Sequence, residues 1–218
     1  MFDFFKVSIV ISSLFFSCAN NQKDKSISFE TPDGMVWVEG KSYTKGAKQN
    51  DDYAMMREKP SHEVYIDGFY IDVTEVTNNQ FQKFVNETGY LTIAEREIDW
   101  DEMKKSLPAG TPKPHDSILQ PGSLIFNDKL KKVDNMNNYF QWWRWQTGAN
   151  WRSPKGPGSS IENKGNYPVV HIAYEDAKAY CEWANRRLPT EAEWESAAQG
   201  NYKNAVFPWG DDLKLLKS

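Results

Sequence analysis

Two cysteines are the most reactive side chains in this sequence of 218 residues. Cys18 follows an apolar run, and Cys181 lies in a stretch with helical periodicity. Copper sites take soft thiolate ligands, and a structural zinc site takes several thiolates or histidines. If Cys18 carries a lipid, Cys181 is left without a partner for a disulfide or a thiolate pair. No base and orienting group are apparent for Cys181 as a nucleophile, so a small buried apolar residue is one interpretation.

The other titratable side chains show no spacing typical of a catalytic or metal site. His62, His115 and His171 are scattered among separate segments, and we therefore predict no zinc or iron site from them. Glu191 and Glu193 lie at the start of a predicted helix, where capping and the helix dipole explain them better than acid–base chemistry.

The sequence contains nine tryptophans, and three of them lie close together before Gly148. Trp142, Trp143 and Trp145 could offer stacked aromatic area to a peptide, which aromatic side chains do at low entropic cost. The alternative is that they fill a core rich in loops. Trp151 and Arg152 are better explained as architectural, with the arginine fork holding irregular backbone carbonyls together.

The N-terminus has the pattern of an export signal. The apolar run at 7–16 is too short to span a membrane, and Phe15-Phe16-Ser17-Cys18 resembles a bacterial lipoprotein box. We therefore predict a signal peptide at 1–17, lipidation of Cys18, a polar tether at 18–33 and one domain at 34–218. The expected location is the bacterial cell envelope, anchored in the periplasm or outer membrane. An ordinary cleaved secretory signal is the alternative.

Composition limits the partners of this domain. The formal net charge is −4, from 26 basic and 30 acidic residues that are mixed in sign along the chain rather than grouped in blocks. Nucleic acid is therefore not an expected partner. A mean hydropathy of −0.70 excludes a further membrane span, and about 200 residues suffice for one domain with a sizeable core.

Short strands, few helices and long loops predict an α+β domain. The Thr77–Gln80 and Thr190–Glu193 pairs are capping boxes that predict two helix starts, and Gly89 is a plausible helix end. The remaining predictions are strands at 35–38 and 64–73, a helix at 175–186, a helix from 191 to about 199, and no repetitive structure at 95–139.

Several motifs in fixed order resemble one known family. They are GMVWVEG from Gly34, HEVYIDGFYIDVTEVTN from His62, NETGYLT from Asn86, GANWRSPKGPGSS from Gly148, YPVVHIAYEDAKAYCEWANRRLPTEAEWESAAQG from Tyr167 and FPWGDD from Phe207. The chain resembles the formylglycine-generating enzymes, the sulfatase-modifying factors that oxidise a sulfatase cysteine to formylglycine. The resemblance implies a C-type-lectin-like fold with little regular secondary structure.

The same resemblance implies a substrate, cofactors and site residues. The substrate would be an unfolded sulfatase polypeptide with a Cys-x-Pro-x-Arg segment, in a groove that includes Ala94, Asp99 and Trp142. Cys181 would be a structural thiol, since the matching cysteine of the family can pair with one from the C-terminal part of the domain. The cofactors would be copper and calcium.

The family places its copper-binding cysteine pair in that C-terminal part, near a Gly-Asn-Val-Trp-Glu-Trp stretch that this sequence does not contain. The expectation is therefore a domain that is incomplete at the C-terminus, lacks the catalytic cysteines and is inactive alone. Two alternatives stay open. One is a non-catalytic envelope scaffold lipoprotein of the gliding-motility type, and the other is a lectin-like binding module.

Overall fold

A computed structural model describes residues 31–49, 51–200, 202 and 207–210. The predicted signal peptide at 1–17, the predicted lipidation site Cys18 and most of the predicted tether at 18–33 lie outside the described residues. Among the helices that the structure describes, none has both the length and the apolar character needed to cross a membrane.

The described residues combine short strands with short helices, as the α+β prediction requires. Three antiparallel two-stranded ribbons are present in these ranges, formed by β1 with β4, β2 with β3, and β5 with β6. The strands are β1 Met35–Val38, β2 Lys41–Lys45, β3 His62–Ile66, β4 Phe69–Asp72, β5 Gly122–Phe126 and β6 Trp143–Thr147. The helices are α1 Asn78–Thr88, α2 Trp100–Met103, α3 Tyr174–Trp183 and α4 Glu191–Gln199.

The prediction of a single strand over 64–73 is wrong. Asp67 and Gly68 interrupt it, and the two resulting strands pair with different partners. A Cβ atom added at Gly68 would lie 2.1 Å from the ring of Trp37, so only glycine lets that indole cross the chain here. Trp37 then packs edge-on against Tyr70, with ring centroids 5.0 Å apart.

The prediction of no repetitive structure over 95–139 is also wrong in part. This stretch contains α2 and the strand β5, which pairs with β6 across a connection of sixteen residues from Asn127 to Trp142. Neither strand of this ribbon was predicted. The proline-rich and polar composition of this stretch does not predict β5, because β5 forms a strand only by pairing with the distant segment β6.

Both helices predicted from capping boxes begin where expected. The Thr77 hydroxyl accepts from the amide of Gln80, whose side chain accepts from the amide of Thr77 at 2.8 Å, and Gly89 ends α1 with φ of 68°. Thr190 and Glu193 cap α4 in the same way. By contrast, α3 ends at Trp183 rather than Arg186, because the chain turns at Asn185 with φ of 53°.

The core forms where α1 and α3 meet the loop after β6. Phe81, Phe84, Val85, Trp151 and Tyr180 are buried together, and Trp151 is only 1 % exposed. The Trp151 ring stands edge-on to Phe81 at 5.2 Å between centroids. Trp151 is therefore architectural, as the sequence predicted.

Candidate functional site

Ala94 lies in a 3-10 turn, Ile93–Glu95, that is fixed from beneath by a buried carboxylate. Asp176, at the start of α3, is fully buried. One of its oxygens accepts from the hydroxyl of Tyr90 at 3.1 Å and the amide of Ile93 at 3.0 Å, and the other accepts from the amide of Ala173 at 2.8 Å. Asp176 thus ties the start of α3 to the turn that carries the predicted groove residue Ala94.

The end of the same turn is held by an ion pair. One oxygen of Glu95 accepts from the amide and hydroxyl of Thr92, and the other lies 2.5 Å from the guanidinium of Arg152. This guanidinium also stacks 4.3 Å above the ring centroid of Trp151. The Arg152 fork was predicted to bind backbone carbonyls. In the described part of the chain it binds a carboxylate instead, because the 3-10 turn brings Glu95 within reach.

Asp99, the second predicted groove residue, lies in an acidic pocket of about 920 Å³. Its carboxylate caps α2 by accepting from the amides of Asp101 and Glu102 at 2.9 and 3.2 Å. The residues lining the pocket are Glu95, Glu97, Ile98, Asp99, Trp100, Asp101, Lys113, Asp116, Leu119, Gln120 and Pro121.

Ion pairs neutralise part of this acidic lining. Lys104 bonds to Asp101 and holds the pKa of that carboxyl below its usual range, while Asp116 raises the pKa of Lys113 by bonding to it. Glu95 is engaged by Arg152. Glu97 and Asp99 have no ion pair among the described contacts, so the pocket has an excess of negative charge and favours a cationic guest.

Trp142, the third predicted groove residue, is not brought into this pocket. Its backbone carbonyl accepts from the amide of Asn127 at 2.8 Å, at the end of the β5–β6 ribbon where Phe126 pairs with Trp143. The pocket meets the ribbon at its other end, through Pro121. Four residue steps of strand separate these ends, about 13 Å. Of the three predicted residues, the structure places only Asp99 in the pocket lining.

The sequence interpretation missed Glu97, Trp100 and Asp116 as pocket residues. A run of acidic residues from Glu95 to Glu102 was the one available signal. It did not suffice, because the wall formed by Asp116 and Lys113 comes from a separate loop.

Cys181 lines a second groove, of about 690 Å³, between β4, α3 and α4. Its side chain is half-buried and is a free thiol in the described chain. Burial and the nearby carboxylate of Asp72 raise the pKa of this thiol. The protonated form is therefore favoured, and such a thiol reacts slowly as a nucleophile. The predicted role as a disulfide partner stays a prediction.

The described residues do not fit the metals that the resemblance implies. A copper–thiolate site needs two soft sulfur ligands, and the described ranges contain Cys181 alone. Calcium takes six to eight oxygen ligands, yet no group of three or more His, Cys, Asp or Glu in these ranges could hold an ion. His171 is bound on both ring nitrogens, to the hydroxyl of Ser123 and the carbonyl of Pro154, each at 2.8 Å.

Comparison with known proteins identifies the family to which the ordered sequence motifs belong. Residues 21–217 match the family described as the Sulfatase-modifying factor enzyme 1-like domain. The chain is 44 % identical over 157 residues to the formylglycine-generating enzyme of Mus musculus, covering 72 % of this chain and 37 % of that protein. It is 43 % identical over 157 residues to the formylglycine-generating enzyme of Mycobacterium tuberculosis, covering 72 % and 49 %.

A third relative has a different description. The "Inactive C-alpha-formylglycine-generating enzyme 2" of Mus musculus is 40 % identical over 158 residues, covering 71 % of this chain and 44 % of that protein. The chain thus spans about half or less of the length of these relatives. Its match to the family nevertheless extends over nearly all of its own residues. The chain therefore belongs to the sulfatase-modifying factor family of formylglycine-generating enzymes.

Proposed function

We propose that this chain serves sulfatase maturation by binding the unfolded sulfatase polypeptide through the arginine of a Cys-x-Pro-x-Arg segment. The observation that carries this proposal is the acidic pocket around Asp99. In the family, the cysteine of that segment is oxidised to formylglycine with copper and oxygen. A site with uncompensated carboxylates favours the binding of an arginine in that segment.

The charge of the pocket suits a guanidinium. Asp99 uses one carboxylate oxygen to cap α2, and Glu97 lines the same pocket. Two such carboxylates can accept several N–H groups from the planar fork of an arginine. Arg152, whose guanidinium bonds to Glu95 of the pocket lining, is an example of the same kind of ion pair in this chain.

Oxidation is a separate matter from recognition. The two thiols of the sequence are Cys18, which we propose is lipidated, and Cys181, whose thiol is half-buried with a raised pKa. We therefore propose that this polypeptide recognises the segment without oxidising it on its own. We also propose that its fold is C-type-lectin-like.

Peptide binding tests the proposal. Fluorescence anisotropy would compare a labelled Cys-x-Pro-x-Arg peptide with the same peptide carrying glutamine in place of arginine. Asp99→Asn keeps the helix cap, because asparagine caps as well as aspartate, and removes only the charge. We expect it to weaken binding of the arginine peptide roughly 10- to 100-fold, since a hydrogen bond to a charged partner contributes about 1.5–3 kcal/mol.

The matched control is Glu182→Gln, which removes one exposed carboxylate from α3, outside the pocket. It should leave the affinity unchanged. Equal affinity for the arginine and glutamine peptides, or an Asp99→Asn protein that binds like the wild type, would overturn the proposal.

A non-catalytic role on the same fold is the second candidate. The relative described as inactive and the single thiol among the described residues favour it. Mass spectrometry of the peptide after incubation with the protein, copper(I) and oxygen separates the candidates. Binding without turnover supports recognition alone, while turnover contradicts our assignment of Cys181 as inert. Failure to bind the peptide favours an envelope scaffold or a lectin-like module.

We further propose that the protein acts at the bacterial cell envelope. The supporting observation is the sequence Phe15-Phe16-Ser17-Cys18 after a short apolar run, with 1–17 as signal peptide, 18–33 as tether and 34–218 as the domain. The lipid on Cys18 would hold the domain at a membrane while the pocket receives an exported polypeptide.

A further inference from the structure

One face of the β5–β6 ribbon presents large apolar side chains to solvent. In this register Leu124 pairs with Trp145 and Phe126 with Trp143, so all four side chains share a face, here called the aromatic face. They are 45 %, 43 %, 57 % and 38 % exposed, in that order.

The opposite face of the ribbon packs against the protein. Ile125 is buried there, and Ser123 bonds to the ring of His171. The ribbon is thus fixed to the domain on one side, which turns the aromatic face outward.

Basic residues lie next to the aromatic face. The loop that leaves β5 carries Lys129, Lys131 and Lys132, all exposed. The connection from Asn127 to Trp142 has these three lysines against two carboxylates, in a chain whose formal net charge is −4. Both carboxylates lie near lysines: Asp128 is 3.9 Å from Lys155 and Asp134 is 3.4 Å from Lys132. The local potential is therefore positive, opposite in sign to the charge of the whole protein.

We propose that the aromatic face and its lysine-rich loop dock on an anionic lipid bilayer. Tryptophan, with an apolar ring and a polar N–H, settles at the headgroup level of membranes, and phenylalanine and leucine beside it insert at the boundary with the acyl chains. Lysines beside such rings attract anionic headgroups, and each contributes a roughly fivefold gain in binding near the surface. This inference concerns a surface separate from the acidic pocket, and it does not depend on sulfatase maturation.

Size and shape favour a bilayer over a protein partner. The aromatic face exposes roughly 300–400 Å², judged from the areas typical of such side chains. A stable interface between two copies needs about 800 Å² on each side, about twice that area. A peptide site is normally concave, whereas these four side chains stand on a two-stranded ribbon and line neither of the two grooves described above. A bilayer requires neither shape complementarity nor a large rigid interface.

A local probe tests the proposal in the full chain. The background is Cys18→Ala, in which no lipid can be attached at residue 18. A polarity-sensitive dye is attached to the thiol introduced by Leu124→Cys. The signal of dye attached to Cys181 is measured on the Cys18→Ala protein and subtracted. Vesicles of phosphatidylcholine with about 30 % phosphatidylserine should shift the emission of this dye to the blue. Vesicles of phosphatidylcholine alone should shift it far less.

The dye reports the surroundings of residue 124 even if the apolar run at 7–16 brings the chain to vesicles by itself. The matched control places the same dye by Tyr65→Cys, on β3 of another two-stranded ribbon, where the side chain is 70 % exposed. A blue shift at residue 124 with none at residue 65 supports docking through the aromatic face. Equal shifts at both positions, or none at residue 124, overturn it.

Charge variants supply a second measurement. Lys129→Gln together with Lys131→Gln changes only exposed side chains, and it should raise the lipid concentration needed for half of the shift at residue 124 roughly 25-fold. Raising the salt concentration from about 50 mM to about 500 mM should change that lipid concentration in the same direction. Insensitivity to both changes contradicts the electrostatic part of the proposal. A dye shift with the Cys-x-Pro-x-Arg peptide and none with vesicles would make the ribbon a peptide surface instead.

Discussion

Asp176 is the residue whose replacement should reveal most about how this fold supports its pocket. It is fully buried and accepts three hydrogen bonds, from Tyr90, Ile93 and Ala173. In Asp176→Asn one oxygen becomes an NH2 group. The best orientation of the amide still accepts from Tyr90 and Ile93, but it then points a donor at the amide of Ala173.

The cost of this change can be worked out from these contacts. One hydrogen bond to a charged acceptor is lost, and a buried backbone N–H is left facing another donor. Together these effects should lower the free energy of unfolding by about 2–4 kcal/mol. For a domain of this size the melting temperature should fall by roughly 5–15 °C. The 3-10 turn at Ile93–Glu95 should loosen as well, because a neutral amide oxygen accepts from the amide of Ile93 more weakly than a carboxylate oxygen does.

Thermal unfolding followed by circular dichroism measures the effect. The control is Glu175→Gln, one residue earlier on the same helix turn, where the side chain is exposed. It should change the free energy of unfolding by less than about 0.5 kcal/mol. An Asp176→Asn protein equally close to the wild type would refute the reasoning that this carboxylate is a structural acceptor.

Four further predictions concern the titration of Glu193 and Tyr43 and the behaviour of the two thiols. The Arg187 guanidinium lowers the pKa of Glu193 to about 2. The Glu193 carboxylate therefore stabilises the fold above pH 4.5, and this stabilisation is lost as the pH falls towards 2. Glu193→Gln should reduce the drop in melting temperature over that range. Burial raises the pKa of Tyr43 to about 12, so the stabilisation by its neutral hydroxyl is present below pH 10 and lost between pH 10 and 12. Tyr43→Phe should reduce this loss of stability at alkaline pH. It should also lower the free energy of unfolding at pH 7 by about 1 kcal/mol, because the hydroxyl donates to the carbonyl of Ala192. Cys18→Ala should move the protein from the detergent to the aqueous phase, and equal partitioning of the two forms would count against lipidation. Cys181 should react slowly with an alkylating reagent until the protein unfolds, because its thiol has a raised pKa.

Features encoded within a few residues of chain could be predicted from the sequence. The starts of α1 and α4 follow from Thr77 with Gln80 and Thr190 with Glu193, because each box satisfies backbone donors only three residues away. The end of α1 at Gly89 follows from the need for a left-handed backbone there. Family membership followed from ordered motifs, which are also a property of the sequence alone.

The features that the sequence concealed depend on distant partners. The strand predicted over 64–73 breaks at Gly68 because Trp37, from another strand, crosses there. β5 is a strand because β6 pairs with it across a long connection, and no local pattern contains that pairing. Asp176 looked like an ordinary helix-start residue, and only packing shows that its carboxylate accepts from Tyr90 and Ile93.

The candidate site divides along the same line. The sequence by itself determined which residue types were present: a carboxylate at Asp99, tryptophans from Trp142 to Trp145, and thiols at two positions. Only the tertiary structure decided that Asp99 shares a pocket with Glu97 and Asp116 while Trp142 lies at the far end of the ribbon. The physical reason is that local hydrogen bonds are fixed by neighbours along the chain. The position of a side chain relative to a distant one depends on which surfaces pack together, and that depends on the whole fold.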